Sequence, residues 1–139
     1  MNTLKGGSFE DERGKIIFNN ELDLTLVKRM YVVENKNIDI CRAWQGHKTE
    51  SRWFVAVEGS FEIKLVKIDD FENPSDDLEV KSFVINSNSM DSLHVQNGYA
   101  SSIQALETKS KLAVFSDYKL GTINDNYKFD SQKWKQKIK

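Results

Sequence analysis

Arg52-Trp53-Phe54-Val55-Ala56-Val57-Glu58-Gly59-Ser60-Phe61-Glu62-Ile63-Lys64-Leu65-Val66-Lys67-Ile68 reads as two strands joined by a tight turn. Residues 52–57 are rich in aromatic and β-branched side chains, which suit a pleated surface. Glu58-Gly59-Ser60 turns the chain. From Phe61 the pattern alternates: Phe61, Ile63 and Leu65 share one face, Glu62 and Lys64 the other. A period of two marks a strand with one buried and one wet side.

The same grammar extends in both directions. Residues 1–14 are polar and turn-rich, and Gly14 predicts a tight turn into a strand at Lys15–Phe18. Further strands are expected around Leu24–Val27, Arg29–Glu34 and Ile38–Arg42. Asp69 to Asp77, with the only proline, Pro74, reads as a surface loop. Strand character resumes at Leu78–Ile85 and Ser92–Val95. Asn97-Gly98 is a turn signal, and strands follow at Ala100–Ala105 and Lys111–Tyr118. Only Phe129–Ile138 has the pattern of a short helix. Many short strands without a helical period predict an all-β sandwich or barrel, with residues 1–139 forming one domain.

Composition narrows the function. The chain has 20 Lys+Arg against 21 Asp+Glu, and its basic residues are scattered. No nucleic-acid polymer is expected as partner, and the basic run Lys133–Lys139 reads as a solvated end. Cys41, the single cysteine, excludes an internal disulfide and reads as a buried strand thiol. Neither a signal peptide nor a membrane-length apolar run is visible, so the expectation is a cytoplasmic protein without a membrane partner. No phosphate loop, nucleotide fingerprint or paired-cysteine metal motif occurs, and no cofactor is predicted.

Candidate chemistry concentrates in Arg42-Ala43-Trp44-Gln45-Gly46-His47-Lys48-Thr49-Glu50-Ser51-Arg52. One reading is a solvated turn with an ordinary surface histidine, and composition by itself points there. The other is a strand edge and loop over a cavity, where Arg42, His47 and Arg52 meet one anionic ligand. Arginine offers a forked donor to phosphate or carboxylate, and histidine a proton acceptor near neutral pH. His94, between Leu93 and Val95, faces either a barrel or solvent. Tyr99 and Tyr118 are the candidate phenols, for proton donation or sugar stacking. Trp44, Trp53, Phe54, Phe61 and Phe115 read as core by default.

These residues together resemble the nucleotide-sugar cupins, namely the dTDP-4-keto-6-deoxyglucose 3,4-ketoisomerases (WxcM-like) and the dTDP-4-dehydrorhamnose 3,5-epimerases. Asp11-Glu12-Arg13-Gly14 resembles the Asp-x-Arg-Gly that opens both families. Val27-Lys28-Arg29-Met30-Tyr31 resembles the ketoisomerase Lys-Arg-aromatic strand. Arg42 to Lys48 resembles its Arg-Gly-x-His-Ala-His-Lys, and Val57-Glu58-Gly59-Ser60 its Gly-Ser turn. Leu93 to Ala100 and Ser116-Asp117-Tyr118 resemble the epimerase Ile-Pro-Pro-Gly-Phe-Ala and Thr-Asp-Tyr segments. The resemblance implies a cupin-like double-stranded β-helix, a jelly-roll barrel, and a homodimer.

The departures bear on function. Gln45 stands where the family has the first histidine of its His-Ala-His unit, and glutamine takes no proton at neutral pH. Ser101 stands at a later epimerase histidine, and Ala113 at its strand tyrosine. Two of the three histidines of a metal-binding cupin are therefore missing, and no metal is predicted. The resemblance implies a metal-independent isomerase or epimerase of a nucleotide-activated 4-keto-6-deoxy sugar, acting by proton abstraction beside the carbonyl. His47, Gln45 and Tyr99 are the expected catalytic set; Arg29, Arg42, Lys48, Arg52 and Ser101 the expected substrate contacts. The alternative is a cupin that binds a sugar or nucleotide sugar without turnover.

Overall fold

The computed structural model describes residues 3–134. Two five-stranded antiparallel sheets face each other. The first orders β1 (Thr3–Leu4), β9 (Ser92–Val95), β6 (Arg52–Glu58), β11 (Lys111–Ser116) and β4 (Arg29–Val33). The second orders β12 (Tyr127–Lys128), β5 (Cys41–His47), β10 (Tyr99–Ala105), β7 (Ser60–Lys67) and β8 (Val80–Asn86). A separate hairpin pairs β2 (Gly7–Asp11) with β3 (Gly14–Phe18). Consecutive strands often lie in opposite sheets, the crossing pattern of a jelly roll. None of the described residues is helical, and no helix is long and apolar enough to cross a membrane.

The alternation in residues 61–65 sets the inward face. Phe61, Ile63 and Leu65 are buried, and they pack with Phe54, Ile85, Leu93, Leu112 and Val114 between the sheets. Burying each such side chain stabilises the fold by about 1.5–3 kcal/mol. The turns sit where glycine permits them: Gly59 and Gly98 hold φ of +72° and +95°.

A second apolar cluster lies outside the barrel, on the back of the second sheet. Trp44, Val66, Ala100 and Trp134 are buried there, with Phe71 and Phe129 against them. Trp44 Nε1 donates to the Lys133 carbonyl, and Trp134 Nε1 to the Ser75 carbonyl, both at 2.7 Å. The C-terminal segment and the 69–77 loop thus cover one side of β5.

Several expectations need correction. Residues 24–27 form a turn, closed by Val27 N–H on the Leu24 carbonyl, because their apolar side chains find no sheet face. Residues 38–39 are also a turn; the strand begins at Cys41 and runs through His47, so most of the chemistry-bearing segment is strand. Cys41, at its start, is exposed rather than buried. The polar N-terminus contributes β1 and β2. Phe129 follows a strand and residues 131–134 form turns, so the helix expected over 129–138 is absent within the described residues. The rest of that helix lies outside them. Trp134 sits in the second cluster, so at least this part of the expected solvated tail is packed.

Candidate active site

The barrel interior is apolar at one end and polar at the other. On β4, β11 and β6 the residues Arg29, Ser116 and Arg52 lie side by side in register. Opposite them, β5 and β10 pair His47 with Tyr99 and Gln45 with Ser101. A β-bulge follows: Ile103 pairs with Arg42, so Ala43 and Trp44 together oppose Ser102. The bulge shifts the alternation by one residue. It gives Arg42 the same register face as Gln45 and His47, which strict alternation would deny it.

A cavity of about 180 Å³ opens at this polar end, lined by Arg29, Gln45, His47, Glu50, Arg52 and Tyr118, with its far wall from residues 119–126. His47 is 7% exposed. Its Nδ1 lies 3.0 Å from the Asp125 carbonyl oxygen and 3.3 Å from Glu50 Oε2. A carbonyl oxygen can only accept, so Nδ1 carries the proton and Nε2 keeps the lone pair. Burial of the ring, then the Arg52 guanidinium, lowers the His47 pKa from its ordinary value. The imidazole is therefore neutral, and a base, at neutral pH.

Glu50 joins the two walls. Its Oε1 is 3.2 Å from Arg52 Nη2 and 3.9 Å from Arg29 Nη2, and it accepts from Ser116 Oγ. Burial pushes the Glu50 carboxyl upward, but the Ser116 hydrogen bond and Arg52 outweigh this and leave it below its ordinary value. Arg52 also donates to the Tyr31 hydroxyl, and both arginines lie against the Tyr31 ring, 4.9 Å (Arg29) and 5.6 Å (Arg52) from its centroid. Arg29 Nε and Arg52 Nε are buried without a partner among the described residues.

Asp125 holds the His47 ring from the outside. Its carboxylate accepts the N–H groups of Lys48, Thr49 and Glu50 at 2.7–3.0 Å. Asp117 accepts the next one, Ser51 N–H, at 2.9 Å. Two aspartates thus pin four successive amides of the turn that carries Glu50. His47, Glu50 and Asp125 bring ligand atoms within 4.8 Å of one another. Those atoms are already committed: Asp125 to three backbone amides, Glu50 to a guanidinium and a hydroxyl. The cluster is a charge-balanced hydrogen-bond knot.

Of the residues singled out in the sequence, Arg29, Gln45, His47, Arg52 and Tyr118 share this cavity. Arg42 and Ser101 line a larger adjoining recess, where Arg42 Nε donates to Asn35 Oδ1. Tyr99 lines a different recess with Leu65 and Lys67. Lys48 is exposed and meets Asp125 through its backbone. His94 stands on the outer face, stacked on Trp53 with centroids 4.7 Å apart. The two groups against His47 Nδ1 are Asp125 and Glu50, whereas Gln45 bonds to Asn126. Sequence reading missed Asp125 and Asn126 entirely. No local pattern announces them, because their partners are about 80 residues away. Glu50 carried a usable signal, an acid three residues after the histidine.

A jelly-roll barrel with a polar, histidine-bearing end places the chain among the cupin-like barrels, and comparisons with known proteins agree. The structure is similar to a 3,4-ketoisomerase from Helicobacter canadensis, with 20% identity, 90% of this chain and 87% of that one covered, and a TM-score of 0.68. It is similar to a mutant of the 3,4-ketoisomerase QdtA from Thermoanaerobacterium thermosaccharolyticum in complex with TDP-4-keto-6-deoxyglucose, with 21% identity, coverage of 90% and 84%, and a TM-score of 0.67. It is also similar to the dTDP-4-dehydrorhamnose 3,5-epimerase of Bacillus anthracis, with 13% identity, coverage of 86% and 73%, and a TM-score of 0.69. No curated protein matches the sequence. The family described as WxcM-like, C-terminal (FdtA) matches residues 2–139, and the chain belongs to it.

Proposed function

We propose that this chain is a metal-independent sugar-nucleotide ketoisomerase acting on a TDP-linked 4-keto-6-deoxyhexose. The observation that carries the reading is the fixed tautomer of His47: Nδ1 is held by Asp125 and Glu50, so Nε2 is the base at a cavity walled by Arg29 and Arg52. The carbonyl at C4 acidifies the C3 proton. Nε2 takes that proton, the C3–H electron pair becomes the C3=C4 bond, and O4 takes up the charge. Arginine donors beside the developing enolate lower the barrier because they are already oriented and partly dehydrated. Return of the proton to C4, with transfer of the hydroxyl proton from O3 to O4, leaves the carbonyl at C3. One base suffices when both carbon transfers use the same face. Tyr118 lines this cavity and Tyr99 does not, which favours Tyr118 as the phenol available to the oxygens.

The family and the structural neighbours support the substrate class, since solved relatives are described with TDP or TDP-4-keto-6-deoxyglucose bound. The committed hydrogen bonds of Glu50 and Asp125 support independence from metal. We further infer a homodimer through the outer face of the first sheet, where the edge strand β4 exposes Met30 and Val32 by more than half.

The experiment is NMR of TDP-4-keto-6-deoxyglucose with the protein in deuterated buffer. A 3-keto product carrying deuterium at C4, and exchange of deuterium into C3 of the remaining 4-keto sugar, are expected, and both should vanish in His47→Ala. Binding without exchange for any sugar tested overturns catalysis and leaves a sugar-nucleotide-binding cupin.

A further inference from the structure

Two recesses meet at one side chain. The cavity of His47 is one. The other, about 440 Å³, has Tyr31, Trp44 and Phe129 as aromatic wall and Arg42 and Lys128 as cations. Among the described residues, Gln45 alone lines both.

Gln45 does not stand by itself. Its Nε2 donates to Asn126 Oδ1 at 2.5 Å. That bond leaves Gln45 Oε1 as an acceptor and Asn126 Nδ2 as a donor. Both residues are held by backbone on either side: Gln45 pairs with Ser101 of β10 and Lys128 of β12, and Asn126 lies between Asp125 and Tyr127 of β12. The two amides are therefore placed before any ligand arrives. Neither ionises, so their offer of one acceptor and one donor is the same at every working pH. A sugar hydroxyl, which both donates and accepts, is the complement of that pair.

We propose that Gln45 and Asn126 form an amide clamp that grips a sugar hydroxyl where the two recesses join, and so distinguishes a sugar-bearing nucleotide from the bare nucleotide. This rests on the proposed function for the ligand class. The sugar lies over His47, and the nucleoside diphosphate extends past Gln45 toward Arg42, Lys128 and the aromatic wall. The clamp touches the sugar and takes no proton.

The test compares the affinity of TDP-4-keto-6-deoxyglucose with that of TDP by calorimetry, for the full chain and for Gln45→Leu, Asn126→Ala and the double variant. Each single change is expected to weaken the sugar nucleotide about three- to tenfold, the range of one or two lost hydrogen bonds, and to leave TDP within twofold. The double variant is expected to lose less than the product of the singles, because each change disables the same pair. Asn126 is exposed, so its replacement leaves the fold intact even if Gln45→Leu does not. Wild-type binding of both ligands, with variants that weaken both equally or neither, overturns the clamp alone. Wild-type protein that binds neither ligand overturns the proposed function, and the clamp with it.

Discussion

His47 Nδ1 lies 3.0 Å from the carbonyl oxygen of Asp125, a residue 78 positions further along the chain. The same residue's carboxylate holds the turn that carries Glu50. One buried aspartate therefore fixes the tautomer of His47 through its main chain and the position of Glu50 through its side chain.

Asp125→Ala is the first consequence. The substitution leaves three amides without their acceptor, and hydrogen bonds to a charged group contribute about 1.5–3 kcal/mol each at most. A net loss of about 2–3 kcal/mol is expected in chemical denaturation, with a smaller loss for Asp125→Asn, which keeps one oxygen acceptor. Equal stability of Asp125→Ala and the wild type would show that water replaces the carboxylate freely.

The pH dependence of stability has a definite sign. His47 and Glu50 both titrate below their ordinary values of 6.5 and 4.5 in the folded chain. Between each ordinary value and the lowered one, the unfolded chain binds more protons than the folded one. The stability from these groups is thus complete above pH 6.5. It falls as pH drops below 6.5, through the lowered pKa of His47, and falls again below 4.5. A denaturation series from pH 8 to 4 checks this; stability that rises on acidification through pH 6 contradicts it.

Turnover should follow the same base. Protonating Nε2 removes the acceptor, and the lowered pKa moves that event to the acid side of 6.5. The rate is expected to be flat across neutral pH and to decline only on the acid side of 6.5. An acid limb centred above 7 is incompatible with a buried neutral imidazole beside Arg52.

Gly46 tests how β5 is held. A Cβ at this position would sit 3.0 Å from Phe129 Cε2 and 3.2 Å from Phe71 Cε1. Gly46→Ala should overpack the outer cluster and cost about 1–3 kcal/mol, read as a lowered denaturation midpoint. An unchanged midpoint would mean that the two rings move aside without loss.

Val32→Lys probes the proposed dimer. Val32 is 52% exposed on the edge strand β4, and a lysine there should convert a dimer to a monomer in light scattering. Wild-type protein that is already monomeric removes the basis for that interface.

Most strands and turns were legible in the residue pattern, because their causes are local. Alternation at Phe61, Ile63 and Leu65 specifies a one-sided strand wherever the chain goes, and Gly59 and Gly98 permit turns that other residues resist. The motif at 42–52 was visible for the same reason. The surroundings of His47, by contrast, come from the closed barrel. Arg42 joins the face of Gln45 through a bulge that residue types do not announce, and Tyr99 lines another recess despite its register with His47. Glu50, Asp125 and Asn126 gain their roles from strand closure, which brings residues some 80 positions apart within hydrogen-bonding distance. A residue's protonation state and its ligand-facing atoms depend on such neighbours, and a linear pattern contains no distances between them.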